Sequence, residues 1–314
     1  MAGCWVALFA WGPSASGQVR PSAAVLAELE QFEAERGRFR RLLPGEEGVT
    51  AEKLEAYQQA LAEASAAWVA RWPRQEFAWR ARLEALAGVG RADPTAVREA
   101  VDRAEAIAAV PSGLYFPENL SFLEARALLR HGLDLDRVGR LAEDGLQAEL
   151  QRLDRVEQTR GGDPSGELGE RRRRLRWRAA LLQADAAEAS GDVPSWLAAL
   201  RELEGAAPPA GRQDRGTAAA YASAQLELHS RRARALRAQG ETDAALEEYR
   251  TAVRLRPAFG GKLEPPRNQA LLAEARSAWL STGRSAEDWE AWVAVQRGYP
   301  IPAMTSVPMT AAAR

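Results

Sequence analysis

Residues 170–178, ERRRRLRWR, set six arginines around one leucine and one tryptophan. Guanidinium groups at that density can neutralise phosphates, and Trp177 could stack on a base. On a helix, however, consecutive residues point around the axis and build no single groove-facing patch. A solvated face with Leu175 and Trp177 turned to the core accounts for the same pattern. The chain's net charge is -1, without the basic footprint of a nucleic-acid binder. No nucleic-acid partner is expected.

Other reactive groups are sparse. His131 and His229 are the only histidines, and neither has an HxxxH or carboxylate ligand pattern beside it. His131 precedes Gly132 at a helix end, where a cationic ring complements the helix dipole. The one cysteine, Cys4, excludes a disulfide framework, a CxxC pair and a cysteine-based zinc site within the chain. Carboxylates alternate with arginines on helical faces, where pairing at i,i+4 is the ordinary explanation. GGKLEPP (260–266) fails as a phosphate loop, and the nucleophile elbow and HExxH are absent. These patterns predict no catalytic residue, metal or cofactor, hence a chain that is not an enzyme.

The elements that hold these residues are helical. From about residue 20 onward, amphipathic segments follow one another, broken by short Gly, Pro or Asp punctuation. In TAEKLEAYQQALAEASAAWVARW (50–72), Leu54, Tyr57, Leu61, Ala64, Trp68 and Trp72 fall on one helical face. Asp93 and Pro94 make a cap and a first helical residue, and Ser285 with Asp288 makes a capping box. Asn119 opens the glycosylation-like triplet Asn-Leu-Ser and reads as a helix start. The ten tryptophans keep helical spacing and read as inter-helix core. About twelve short helices with tight connections predict an all-α fold of stacked antiparallel hairpins.

The apolar CWVALFAW (4–11), followed by small and turn-forming residues, predicts a signal peptide over 1–18. An ordinary apolar helix turn is the alternative. The mature chain would begin between Ser16 and Pro21, with a helical domain over 19–297 and an irregular tail over 298–314. No segment reaches the ~20 apolar residues of a membrane span. The expected location is outside the inner membrane, in the periplasm or cell envelope.

One stretch fixes the architecture more closely. AQGETDAALEEYRTAVRLRP (238–257) places Gly240, Ala245, Tyr249, Ala252 and Pro257 at intervals suited to two close-packed helices. Small residues allow backbones to approach, Tyr249 fills the gap to the next hairpin, and the proline ends the helix. The stretch resembles the second half of a tetratricopeptide (TPR) repeat, a 34-residue helix–turn–helix. In that register one unit spans 226–259, with Ala233 on the small position and Arg232 where the family has leucine. A second copy over 177–210 places Ala184, Gly191, Leu200 and Pro208 at the same offsets, with Trp196 replacing an alanine. The resemblance implies a TPR-like α-solenoid.

The order of segments 128–150, 226–259 and 274–292 also resembles the helical region that precedes the thioredoxin domain in exported TlpA-like bacterial proteins. That resemblance implies an envelope location and a thioredoxin-like domain encoded nearby. The redox motif is missing here, so no reductase activity carries over.

In TPR arrays the first helix of each hairpin lines a groove that holds a peptide. The resemblance therefore implies a candidate groove of Arg178, Leu181 and Asp185 from one unit, with Glu227, Ser230, Arg234 and Arg237 from the other. Simple solvation is the competing account of each. The expected function is a non-enzymatic scaffold for a protein or peptide partner. The alternative is the helical part of a TlpA-like thiol-disulfide oxidoreductase.

Overall fold

The computed structural model describes residues 21–40, 50–109, 116, 118–207, 215–255 and 266–298. The expected signal peptide, the tail beyond Gly298, and the helix-ending Pro208 and Pro257 lie outside the described residues. Those described form twelve α-helices and no strand. The chain divides into two compact units, Met1–Gly162 and Asp163–Arg314.

The first unit contains α1 (Ala23–Arg40), α2 (Ala51–Arg71), α3 (Glu76–Gly88), α4 (Pro94–Ala108), α5 (Leu120–Arg130) and α6 (Leu135–Arg160). Local chemistry sets several starts. Asp93 Oδ1 accepts the Thr95 N–H at 3.1 Å, ahead of Pro94 at the first helical position. Asn119 Oδ1 accepts the Ser121 N–H at 2.9 Å and so starts α5. Val97, Ala100, Val101 and Ala104 then bury one stripe of α4. Phe32 of α1 sits among Trp68, Trp72 and Phe77, with ring centroids 5.4, 5.8 and 4.8 Å away. The two tryptophans meet it edge-on, the arrangement ring quadrupoles favour. The expected stripe of α2 buries toward its C-terminal end only. Leu54, near its start, is 41% exposed.

The second unit contains α7 (Glu167–Ser190), α8 (Val193–Gly205), α9 (Arg215–Ala238), α10 (Thr242–Leu255), α11 (Pro266–Ser281) and α12 (Ala286–Gly298). Helices α7 and α8 pack as one hairpin, and α9 and α10 as another. Both turns use one device. Gly191 (φ 73°) and Gly240 (φ 85°) adopt the left-handed conformation that a Cβ disfavours. The following N–H groups, of Asp192 and Glu241, return to the carbonyls of Ala187 and Leu236 at 3.0 and 2.9 Å. Asp192 then accepts the Ser195 N–H at 3.2 Å and starts α8.

The small and bulky positions behave as the spacing predicts. Ala184, Ala233, Ala245, Tyr249 and Ala252 are fully buried, and Leu200 occupies the Tyr249 position in the first hairpin. Trp196, at the same offset from its turn glycine as Ala245, is also buried, packed with Ala180, Ala184 and Leu200. Arg232 of α9 reaches Glu204 of α8 at 2.5 Å. At the end of this unit Trp279, Trp289 and Trp292 cluster, the last two stacked at 5.0 Å. Ser285 accepts the Asp288 N–H at 3.0 Å and caps α12. Among the described residues no helix is long and apolar enough to cross a membrane.

Candidate functional site

The site forms where α7, α9 and α11 lie side by side. The buried stripes of α7 and α9 are alanine-rich: Ala180, Ala184 and Ala187 of α7 pack with α8, Ala233 of α9 packs with α10, and Ala235 of α9 joins the α7–α8 cluster. That packing turns a second stripe of each outward at four- and three-residue steps. On α7 it carries Leu181, Asp185 and Glu188; on α9 it carries Glu227, Arg231 and Arg234.

Charge joins the stripes. The Arg231 guanidinium pairs with Asp185 of α7 and with Glu227 on its own helix, the latter at 2.6 Å. Arg234 forks onto Glu188, 2.7 Å from Nε and 3.3 Å from Nη2. Its Nη1 reaches Glu274 of α11 at 3.5 Å, and the Tyr249 hydroxyl donates to the same carboxylate at 3.4 Å. Arg237 continues the row, donating to Ser277 at 2.9 Å.

Two arginines thus serve four carboxylates, and the titration behaviour follows. Burial, with the Glu188 and Glu227 charges adding to it, raises the Asp185 pKa in spite of Arg231. Burial opposes the Arg231 and Arg234 cations, but Asp185 and Glu227 beside the first, and Glu188 beside the second, carry both above the ordinary arginine value. Burial and Glu274 push the Tyr249 phenol up to about 12.

Two clefts open along this row. The first encloses about 520 Å³, with Trp177, Leu181 and Ala224 as apolar wall and Asp185, Glu227 and Arg231 as charged wall. The second encloses about 160 Å³ between α9 and α11, bounded by Leu226, Ser230, Arg234, Leu271 and Glu274. Glu227 borders both. An apolar floor with a few convergent polar groups is the usual composition of a ligand-binding cleft.

The residues expected from sequence distribute unevenly. Leu181, Asp185 and Glu227 line the first cleft; Glu227, Ser230 and Arg234 line the second. Ser230 spends its proton on the Leu226 carbonyl, at 2.6 Å. Arg237 lies at the end of the row, and Arg178 lies off both clefts, half-buried, where burial lowers its pKa. Sequence reasoning missed Arg231, Glu188 and Glu274. Arg231 was legible as the i+4 partner of Glu227, but nothing local shows that it also spans two helices.

The other reactive candidates have structural partners. Arg174 Nε pairs with Glu170 at 3.0 Å, Arg173 pairs with the same carboxylate, and Leu175 and Trp177 are half-buried. His131 Nε2 bonds the Leu86 carbonyl at 2.9 Å, so its ring serves the C-terminal turn of α3 rather than that of its own helix. His229 Nδ1 meets Glu248 of α10 at 2.5 Å. The i,i+4 account of the carboxylates holds for Glu76, Glu170 and Glu227 but not throughout, since Glu188, Glu204 and Glu274 pair across helices and Glu124 is buried with no ion pair among the described residues.

No family model matches the chain, and no curated protein or solved structure matches it.

Proposed function

We propose that this chain is a non-enzymatic, exported scaffold whose TPR-like hairpins stack as a solenoid and hold an extended peptide against α7, α9 and α11. The observation that supports this reading is the shared wall of the two clefts. Glu227 borders both, so a peptide could run from the Trp177–Leu181 floor to the Leu271 side without leaving the row. Repeat arrays bind in this way because successive first helices present one continuous surface.

Peptides selected from a displayed random library against the full chain test the proposal. Leu181→Glu should weaken the selected peptides at least about tenfold, ~1.4 kcal/mol. Glu247→Ala, on α10 away from both clefts, should leave them unchanged. Selection that yields no binder, or binders indifferent to Leu181→Glu, would overturn it. Export is tested separately, by intact mass: cleavage between Ser16 and Pro21 supports it, and a cytosolic chain retaining Met1 opposes it.

A further inference from the structure

The first unit buries Arg36, Glu76, Arg80, Glu124 and Glu149. Glu124 of α5 is 1% exposed, and its Oε1 has no hydrogen-bond partner. Helix α5 packs against α3, α4 and α6, so this carboxyl is enclosed from three sides. Its neighbours are already committed. Arg80 donates to Glu76 Oε1 and to the Glu118 carbonyl, both at 2.7 Å, and lies 4.2 Å from the Phe116 ring centroid. Glu149 of α6 accepts from Arg152 at 3.1 and 2.6 Å. An ionised carboxylate without a paired cation is costly in such a place, whereas the neutral acid is tolerated.

We propose that Glu124 is a protonation switch for the first unit: its carboxyl stays neutral while α3, α4, α5 and α6 are packed, and its ionisation loosens the seat of α5. The charged groups that act on it come from every packed element. Glu76 and Arg80 lie on α3, Glu105 on α4 and Arg137 on α6. Burial first, then the Glu105 charge, push the Glu124 pKa up to about 8, while Arg137 and Arg80 pull it down. The unfolded chain gives up this proton near the ordinary 4.5, and the folded chain holds it to about 8. Stability is therefore full below the lower value, falls as pH rises between the two, and is level beyond.

The test is urea denaturation of the full-length chain from about pH 5 to about pH 9, with hydrogen exchange of α5 assigning the transition to the first unit. Glu124→Gln keeps the shape of the neutral acid and cannot ionise. Between those limits the wild-type unfolding constant should rise roughly several hundredfold more than that of the variant. Glu105→Gln removes a repelling charge and one of the two carboxylates paired with Arg137, so the upper end of the window should move to lower pH while its lower end stays in place. Parallel profiles for wild type and Glu124→Gln would overturn the switch. So would a Glu105→Gln profile that does not move, which decides the matter even if Glu124→Gln fails to fold.

Discussion

Arg234 and Glu188 are joined by two nitrogen–oxygen contacts of 2.7 and 3.3 Å across 46 residues of chain. Arg231 and Asp185 are separated by the same 46 residues, so neighbouring pairs keep one register between α9 and α7. Such a fork is stronger than a single exposed ion pair because both charges are partly withdrawn from water and geometrically fixed. A double-mutant cycle with Arg234→Gln and Glu188→Gln should return a coupling of about 0.5–3 kcal/mol. Additive costs in denaturation would mean that the two side chains do not act as a unit.

Ala245 is fully buried where α10 meets its neighbours, while the Glu247 side chain is 65% exposed. Enlarging the first must move a backbone or force an off-rotamer neighbour. Ala245→Leu should cost roughly 1–3 kcal/mol, and Glu247→Ala should stay within about 0.5 kcal/mol. Equal denaturation midpoints would contradict the packing at Ala245.

Tyr249 separates two contributions cleanly. Its ring is fully buried, whereas its hydroxyl makes only a long 3.4 Å bond to Glu274. Tyr249→Phe should therefore cost under about 1 kcal/mol, against about 3–5 kcal/mol for Tyr249→Ala. The raised phenol pKa has a definite sign. The folded chain keeps a proton that the unfolded chain loses from about 10 upward, so this contribution is whole below 10 and is lost as pH rises toward about 12. Absorbance titration of wild type against Tyr249→Phe should show one late-ionising phenol missing from the variant.

The turn at Gly240 offers a backbone test. At φ 85° nothing lies within 4 Å of an added Cβ, so substitution carries conformational strain without collision. Gly240→Ala should cost about 1–2 kcal/mol, and thermal unfolding should show it. A change near zero would mean that the turn relaxes freely.

Much of the fold was legible because its signals are local. Asp93 before Pro94, Ser285 before α12, and Ala245, Tyr249 and Ala252 between Gly240 and the end of α10 each state a backbone requirement within a few residues. The candidate site was legible only in part. Leu181, Asp185, Glu227 and Arg234 follow from the register that the TPR resemblance implies, but Arg231 acts through partners on another helix that no local pattern names. Glu124 was hidden for a related reason. An acid within an apolar stretch, LSFLEARALL (120–129), reads as a solvated position unless three packed helices are known to close over it. Leu54 shows the reverse, a hydrophobic residue in register that the described neighbours leave exposed.

The tryptophans give each unit its own optical signature. Trp289 and Trp292 stack at 5.0 Å with Trp279 close by, near enough for their excited states to mix and produce a paired band in near-ultraviolet circular dichroism. Trp68 and Trp72 instead flank Phe32, so the first unit offers indoles separated by a ring that absorbs elsewhere. Loss of the paired band reports the melting of α11 and α12, whereas total indole emission also carries Trp177 of α7 and Trp196 of α8. Polarised light can therefore follow the last two helices by themselves, with no label attached.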